Sequence, residues 1–93
     1  KDLYKTFLPS DIAINPVTSE IYITDGINCS LLVLDKTGKM KSHFKLDKDD
    51  FPQLEGITFS PNGDFFLSSE GVKHKGIIAR IIIQPVVKND KKK

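Results

Sequence analysis

Tryptophan is absent from this 93-residue chain, and arginine, cysteine and methionine occur once each. Guanidinium forks are the usual readers of phosphates and guanine edges, so a chain whose only arginine is Arg80 is poorly equipped for nucleic-acid recognition. The lone Cys29 excludes an intrachain disulfide and any Cys-x-x-Cys metal or redox pair. It follows Gly26-Ile27-Asn28 in an expected loop and reads as a partly buried, inert thiol. No apolar run approaches the ~20 residues of a transmembrane helix, so no membrane span is expected. An excess of charge is also lacking: the formal net charge is +2, which selects no partner. The basic run at 88–93 reads as a solvated, frayed and disordered tail. No methionine or signal segment precedes Lys1, as expected of a processed protein or an excised piece.

Helical periodicity is missing too. Prolines at 9, 16, 52, 61 and 85 punctuate segments that alternate or run apolar with β-branched residues. Strands are predicted at 3–7, 11–15, 20–24, 30–35, 40–46, 56–60, 64–69 and 76–84. Turn chemistry separates them, with Gly38 and Gly63 placed to take positive φ after tight turns. The turn at 15–19 matches the one at 60–64 but has no glycine.

Two stretches carry the same motif. Asp11-Ile12-Ala13-Ile14-Asn15-Pro16 aligns with Gly56-Ile57-Thr58-Phe59-Ser60-Pro61. Asp25-Gly26 then falls on Glu70-Gly71, and Leu31-Leu32-Val33-Leu34 on Gly76-Ile77-Ile78-Ala79, at a constant offset of 45 positions without insertion. A repeat of about 40–50 residues made of short strands signals β-propeller blades. Ile21-Tyr22-Ile23 and Phe65-Phe66-Leu67 are apolar on both faces, as strands sandwiched between neighbouring blades should be. The stretch 40–46 alternates, as an outer strand should.

The expected fold is therefore all-β, with about two four-stranded antiparallel propeller blades belonging to a larger or assembled propeller. Residues 1–87 form the blades, repeating at about 10–54 and 55–87, with an outer strand of a preceding blade at 3–8. Two blades cannot close a ring, and their outer faces would be exposed apolar patches. The implied partners are the remaining blades of a parent protein, the preferred reading, or further copies of the same chain.

A family resemblance adds to this. Residues 9–23, the segment Leu31-Leu32-Val33-Leu34-Asp35-Lys36-Thr37-Gly38-Lys39, residues 51–59 and Ser69-Glu70-Gly71 together resemble the SdiA-regulated family of bacterial β-propellers. Single elements such as Glu55-Gly56-Ile57 and Pro61-Asn62-Gly63-Asp64 recur in propellers of the NHL and gluconolactonase-like kinds. The resemblance implies an extracytoplasmic protein of the periplasm or cell surface, with no assigned reaction. It also implies a larger parent of which this chain matches the closing portion.

The candidate chemistry lies in carboxylates at strand ends. Glu55, Glu70 and Asp25 are candidate ligands for an oxygen-preferring cation, Ca²⁺ being the cofactor implied. Resemblance to metal-binding propellers of the gluconolactonase type supports Glu55 in particular. A plainer reading is preferred, in which Glu55-Gly56 is a turn entering a strand. Aligned at the constant offset, Ser10 stands opposite Glu55 and Asp25 opposite Glu70. Asp47-Lys48-Asp49-Asp50 lacks the glycine and closing glutamate of an EF-hand and reads as a solvated turn. His43 and His74 read as surface residues, and Tyr4, Tyr22 and the phenylalanines as packing. No nucleophile elbow or phosphate loop is present. The leading expectation is a non-catalytic binding or scaffolding propeller of the cell envelope. The alternative is a metal-dependent hydrolase of the lactonase or phosphoesterase kind.

Overall fold

A computed structural model describes residues 7–71 and 76–82. Seven strands run in chain order: β1 Pro9–Ile14, β2 Ile21–Asp25, β3 Ser30–Leu34, β4 Met40–Lys45, β5 Leu54–Phe59, β6 Phe65–Ser69 and β7 Ile77–Ile81. They form two antiparallel sheets of sequential hairpins, β1-β2-β3-β4 and β5-β6-β7, with no helix among the described residues. The all-β expectation is borne out, and β1 to β6 lie within a residue or two of their predicted places; β7 ends at Ile81, and residues 83–84 of its predicted range lie outside the described residues. Of the strand expected at 3–8, residues 3–6 lie outside the described residues, and Phe7 and Leu8 are not in a strand. His74 and the tail at 88–93 also lie outside them.

Strand register shows that the two sheets repeat one plan. Ile12 pairs with Ile23 and Ile14 with Ile21; Ile57 pairs with Leu67 and Phe59 with Phe65. Ile12 and Ile57 are 45 positions apart, but Ile23 and Leu67 only 44. In the third strands Leu32 and Ala79, opposite Ile23 and Leu67, are 47 apart. The constant offset is thus a feature of β1 and β5 alone. The turn between β1 and β2 holds one more residue than the turn between β5 and β6. Asp25 consequently stands opposite Ser69 rather than Glu70, and Leu31 opposite Ile78.

The extra residue changes how the turn closes. In the longer turn Ser19 donates its N–H to the Asn15 carbonyl at 2.8 Å and adopts φ 67°. In the shorter one Gly63 donates to the Ser60 carbonyl at 3.0 Å, with φ 95°. A serine therefore occupies the left-handed position that glycine fills in the other repeat. Asn15 Oδ1 accepts the Val17 N–H at 2.9 Å and holds the longer turn together.

The sheets pack face to face through one side of each. On the first sheet this side carries Ala13, Tyr22 and Val33 in register, with Leu31 and Phe44 beside them. Facing them are Ile57, Leu67 and Ala79, then Phe59, Phe65 and Ile81. The Tyr22 ring meets Phe59 and Phe65 edge-on at centroid distances of 4.9 and 5.1 Å, within the range where edge-to-face geometry adds to plain burial. Cys29, Phe51 and Leu54 close one end of this core. Cys29 is fully buried rather than partly so, and its thiol donates to the Phe51 carbonyl at 3.4 Å.

The other two faces differ in character. On the first sheet Ile12, Ile23 and Leu32 share a row with His43, and Ile14, Ile21 and Leu34 share one with Met40. Ile12 and Ile14 are 60% and 62% exposed, whereas Leu32 is buried beneath the segment that brings Phe7 edge-on to His43. On the second sheet the outer rows are Thr58, Phe66, Arg80 and Gly56, Ser68, Ile78.

Two substitutions test this geometry. A Cβ on Gly26 would lie 2.5 Å from the backbone carbonyl oxygen of Leu54, so Gly26→Ala forces the sheets apart and is expected to cost about 1–3 kcal/mol. Ser19→Gly relieves a left-handed strain of about 1–2 kcal/mol against a glycine entropy cost of about 0.5–1 kcal/mol. The variant is expected to be slightly stabilised. Urea unfolding of both variants checks the two signs.

Candidate functional site

Both inner strands begin with the same irregularity. The register jumps from Pro9 to Asp11 in β1 and from Leu54 to Gly56 in β5, leaving Ser10 and Glu55 as the extra residues of two equivalent β-bulges. A bulge bends its strand and re-aims a side chain, which is why bulges gather beside functional sites. Here it turns both residues toward the same rim of the molecule. Ser10 Oγ lies 2.9 Å from Thr24 Oγ1 and 3.2 Å from the Thr24 carbonyl oxygen. Glu55 has no such anchor on its own sheet; its carboxyl meets that of Glu70 at the end of β6.

The chain entering each bulge is pinned in the same way. Leu8 N–H donates to Asp25 Oδ2 at 3.0 Å, and Gln53 N–H donates to Ser69 Oγ at 3.0 Å. Asp25 and Ser69 hold the same register position, so one end-of-strand acceptor serves the residue before each inner strand. Asp25 does more besides. Its Oδ1 accepts the Asn28 N–H at 2.9 Å and its Oδ2 the Asn28 side-chain amide at 2.7 Å. Burial raises its pKa, but the hydrogen bonds from Asn28, Leu8 and Ile27 outweigh that and hold it below the ordinary value. Both oxygens of Asp25 are thus committed to N–H donors of its own loop and of the entering strand.

Between the bulges lies a cleft of about 480 Å³, lined by Leu8, Pro9, Ser10, Gly26, Ile27, Pro52, Gln53, Leu54 and Glu55. Its walls are mixed: Leu8 and Ile27 are 50% and 68% exposed, with the Ser10 hydroxyl on one side and Glu55 on the other. Gly26 permits the close approach of the two repeats at its floor. A second hollow of about 370 Å³ lies on the far side of Glu55, lined by Ser68, Ser69, Glu70, Gly76, Ile77 and Ile78 as well. Glu55 is therefore the partition between two depressions.

The structure brings two of the three expected ligands together. The neighbouring Glu70, through hydrogen bonding and charge repulsion, raises the exposed Glu55 carboxyl above its usual range. Asp25 is engaged otherwise. Among the described residues, no group of three or more His, Cys, Asp or Glu side chains is placed to hold a metal ion. Facing carboxylates are the right donors for Ca²⁺, but that ion takes six to eight oxygens, roughly. The Glu55 and Glu70 carboxyls alone do not supply that number. Asp47 Oδ1 accepts the Asp49 N–H at 2.8 Å in a local turn, as its sequence suggested. Burial pushes the Cys29 thiol pKa up, away from reactivity.

One residue of this region escaped the sequence reading. Asp11 Oδ1 accepts the N–H of Ile12, and Oδ2 accepts the N–H of Ile57, each at 2.9 Å. A single carboxylate thereby ties β1 to β5. The available signal was an acidic residue opening an otherwise apolar strand, with glycine at the equivalent Gly56. No protein family, curated protein or solved structure gave a match to this chain.

Protonation of Glu55 gives a signed pH dependence. Its folded-state pKa stands above the unfolded value near 4.5, so the folded chain binds this proton more tightly. That contribution to stability is complete below the unfolded value and is lost as pH rises through the folded one. Glu55→Gln should therefore melt at a higher temperature than the parent at neutral pH, with the difference vanishing in acid. Asp25→Asn should destabilise by about 1.5–3 kcal/mol through loss of charge-assisted hydrogen bonds. Asp25 contributes above its unfolded value and loses that contribution as pH falls through its depressed one, so this penalty too should shrink in acid. Thermal melts across pH check both.

Proposed function

We propose that the chain is a pair of β-propeller blades serving a non-catalytic binding or scaffolding role, with the cleft between the two bulges as the ligand-binding mouth. The observation that carries this reading is the duplicated bulge. Two inner strands start with the same extra residue, are pinned by the same kind of cap, and direct Ser10 and Glu55 to one rim. Duplicated irregularity at one end of a repeat is economical if that end holds a shared site. The side-by-side inner strands and the exposed fourth strand, β4, fit the order of strands in a blade. Sequence motifs support membership of the SdiA-regulated family and hence a place in the bacterial cell envelope, in the periplasm or at the surface.

Within this reading a structural Ca²⁺ sits at Glu55 and Glu70. Bound there it would neutralise two facing carboxylates and fasten the start of β5 to the end of β6. The site is tested by calorimetric titration of the chain with Ca²⁺ and, separately, Mg²⁺. Binding of Ca²⁺ is expected, and it should weaken at least tenfold in Glu55→Gln and in Glu70→Gln. Equal heats in parent and variants would remove the cation site. Turnover of a lactone or phosphoester by the Ca²⁺-loaded chain, abolished in Glu55→Gln, would replace the non-catalytic reading with a metal-dependent hydrolase.

A further inference from the structure

The register equivalence assigns a partner to the two faces that packing among the described residues leaves wholly or partly open. On the first sheet the rows turned away from the seam are Ile12, Ile23, Leu32 and Ile14, Ile21, Leu34, open at Ile12 and Ile14 and closed at the buried Leu32. By register these are the counterparts of Ile57, Leu67, Ala79 and Phe59, Phe65, Ile81, the face of the second sheet that is covered. The complementary relation also holds. On the free face of the second sheet Phe66 stands where Tyr22 stands on the covered face of the first, and Ile78 stands where Leu31 does. Each such face is thus the register counterpart of a face that already has a partner within the chain, with Thr58 standing where Ala13 does and Arg80 where Val33 does.

We propose that a second copy of this chain docks head-to-tail. The free face of its second sheet would pack on the free face of the first sheet, reproducing the internal sheet-to-sheet contact. Phe66 of one copy then enters the row of Ile14 and Ile21 of the next, as Tyr22 enters Phe59 and Phe65 within one copy. Exposure is where this contact requires it: Ile12 is 60%, Ile14 62% and Ile78 78% exposed. Arg80 stands at the counterpart of Val33 but reaches Asp64 at 3.6 Å on its own sheet, so it can lie at the rim of the contact. Because the two surfaces differ, the contact is heterologous and propagates until it closes. The inference stands on strand register alone and does not depend on the cleft or the cation.

A mixing experiment tests it. Ile12→Lys blocks one face and Ile78→Lys the other, both at exposed positions, with circular dichroism confirming that each variant is folded. Ile14→Lys replaces Ile12→Lys should the latter melt early. Light scattering of the parent is expected to give a mass above the 10.4 kDa of one chain. Each variant alone should fall to the single-chain mass, and a mixture of the two should recover a complex of twice that mass and no larger. A parent that stays at single-chain mass at its highest soluble concentration overturns the proposal. So does association that survives in either variant alone, or a mixture that fails to pair.

Discussion

The meeting of Tyr22 with Phe59 and Phe65 is the interaction on which the other features depend. Beyond the seam the described residues cover only a part of one other side, at Leu32, and a sheet of three or four short strands is marginal without a packed face. The aromatic seam joins them with rings held edge-to-face, flanked by Leu31, Val33, Ile57 and Leu67. Because that seam fixes how the sheets face each other, it also fixes the spacing of β1 and β5. The Asp11 bridge to Ile57 and the close approach at Gly26 follow from that spacing.

The rim is built on that constraint. Once β1 and β5 lie together, their equivalent bulges come to opposite sides of a single cleft. The caps by Asp25 and Ser69 use different chemistry for one purpose: each supplies an oxygen to the backbone N–H of the residue before an inner strand. The carboxylate in the first repeat also organises the loop at 26–29. The repeats diverge at the rim, and also where Thr58 and Arg80 stand at the counterparts of Ala13 and Val33.

Fold class and strand positions were legible because alternation, β-branched content and turn residues all pointed the same way. The repeat was legible in its first strand and then slipped. Ile21-Tyr22-Ile23 and Phe65-Phe66-Leu67 are apolar at every position, so moving one past the other by a residue leaves the pattern unchanged while exchanging the faces. That slip set Asp25 against Glu70 and hid its kinship with Ser69. Glu55 and Glu70 could be named as acidic residues at strand ends. That they face each other follows from the pairing of β5 with β6, which sequence spacing alone does not specify. Asp11 was hidden for a similar reason, since its partner Ile57 lies 46 positions away.

The Asp11 carboxylate has a consequence for the molecule outside its folded state. β1 and β5 are edge strands, each paired on one side only, and such edges offer outward N–H groups to any extended segment that drifts past. Asp11 already occupies two of those groups, on Ile12 and Ile57, and sets a negative charge beside the opening. An intruding strand would have to displace that carboxylate and accept its repulsion. The same side chain that fastens the two repeats together thus sets a charge where an added strand would have to pair, the placement by which charged residues oppose edge-to-edge pairing.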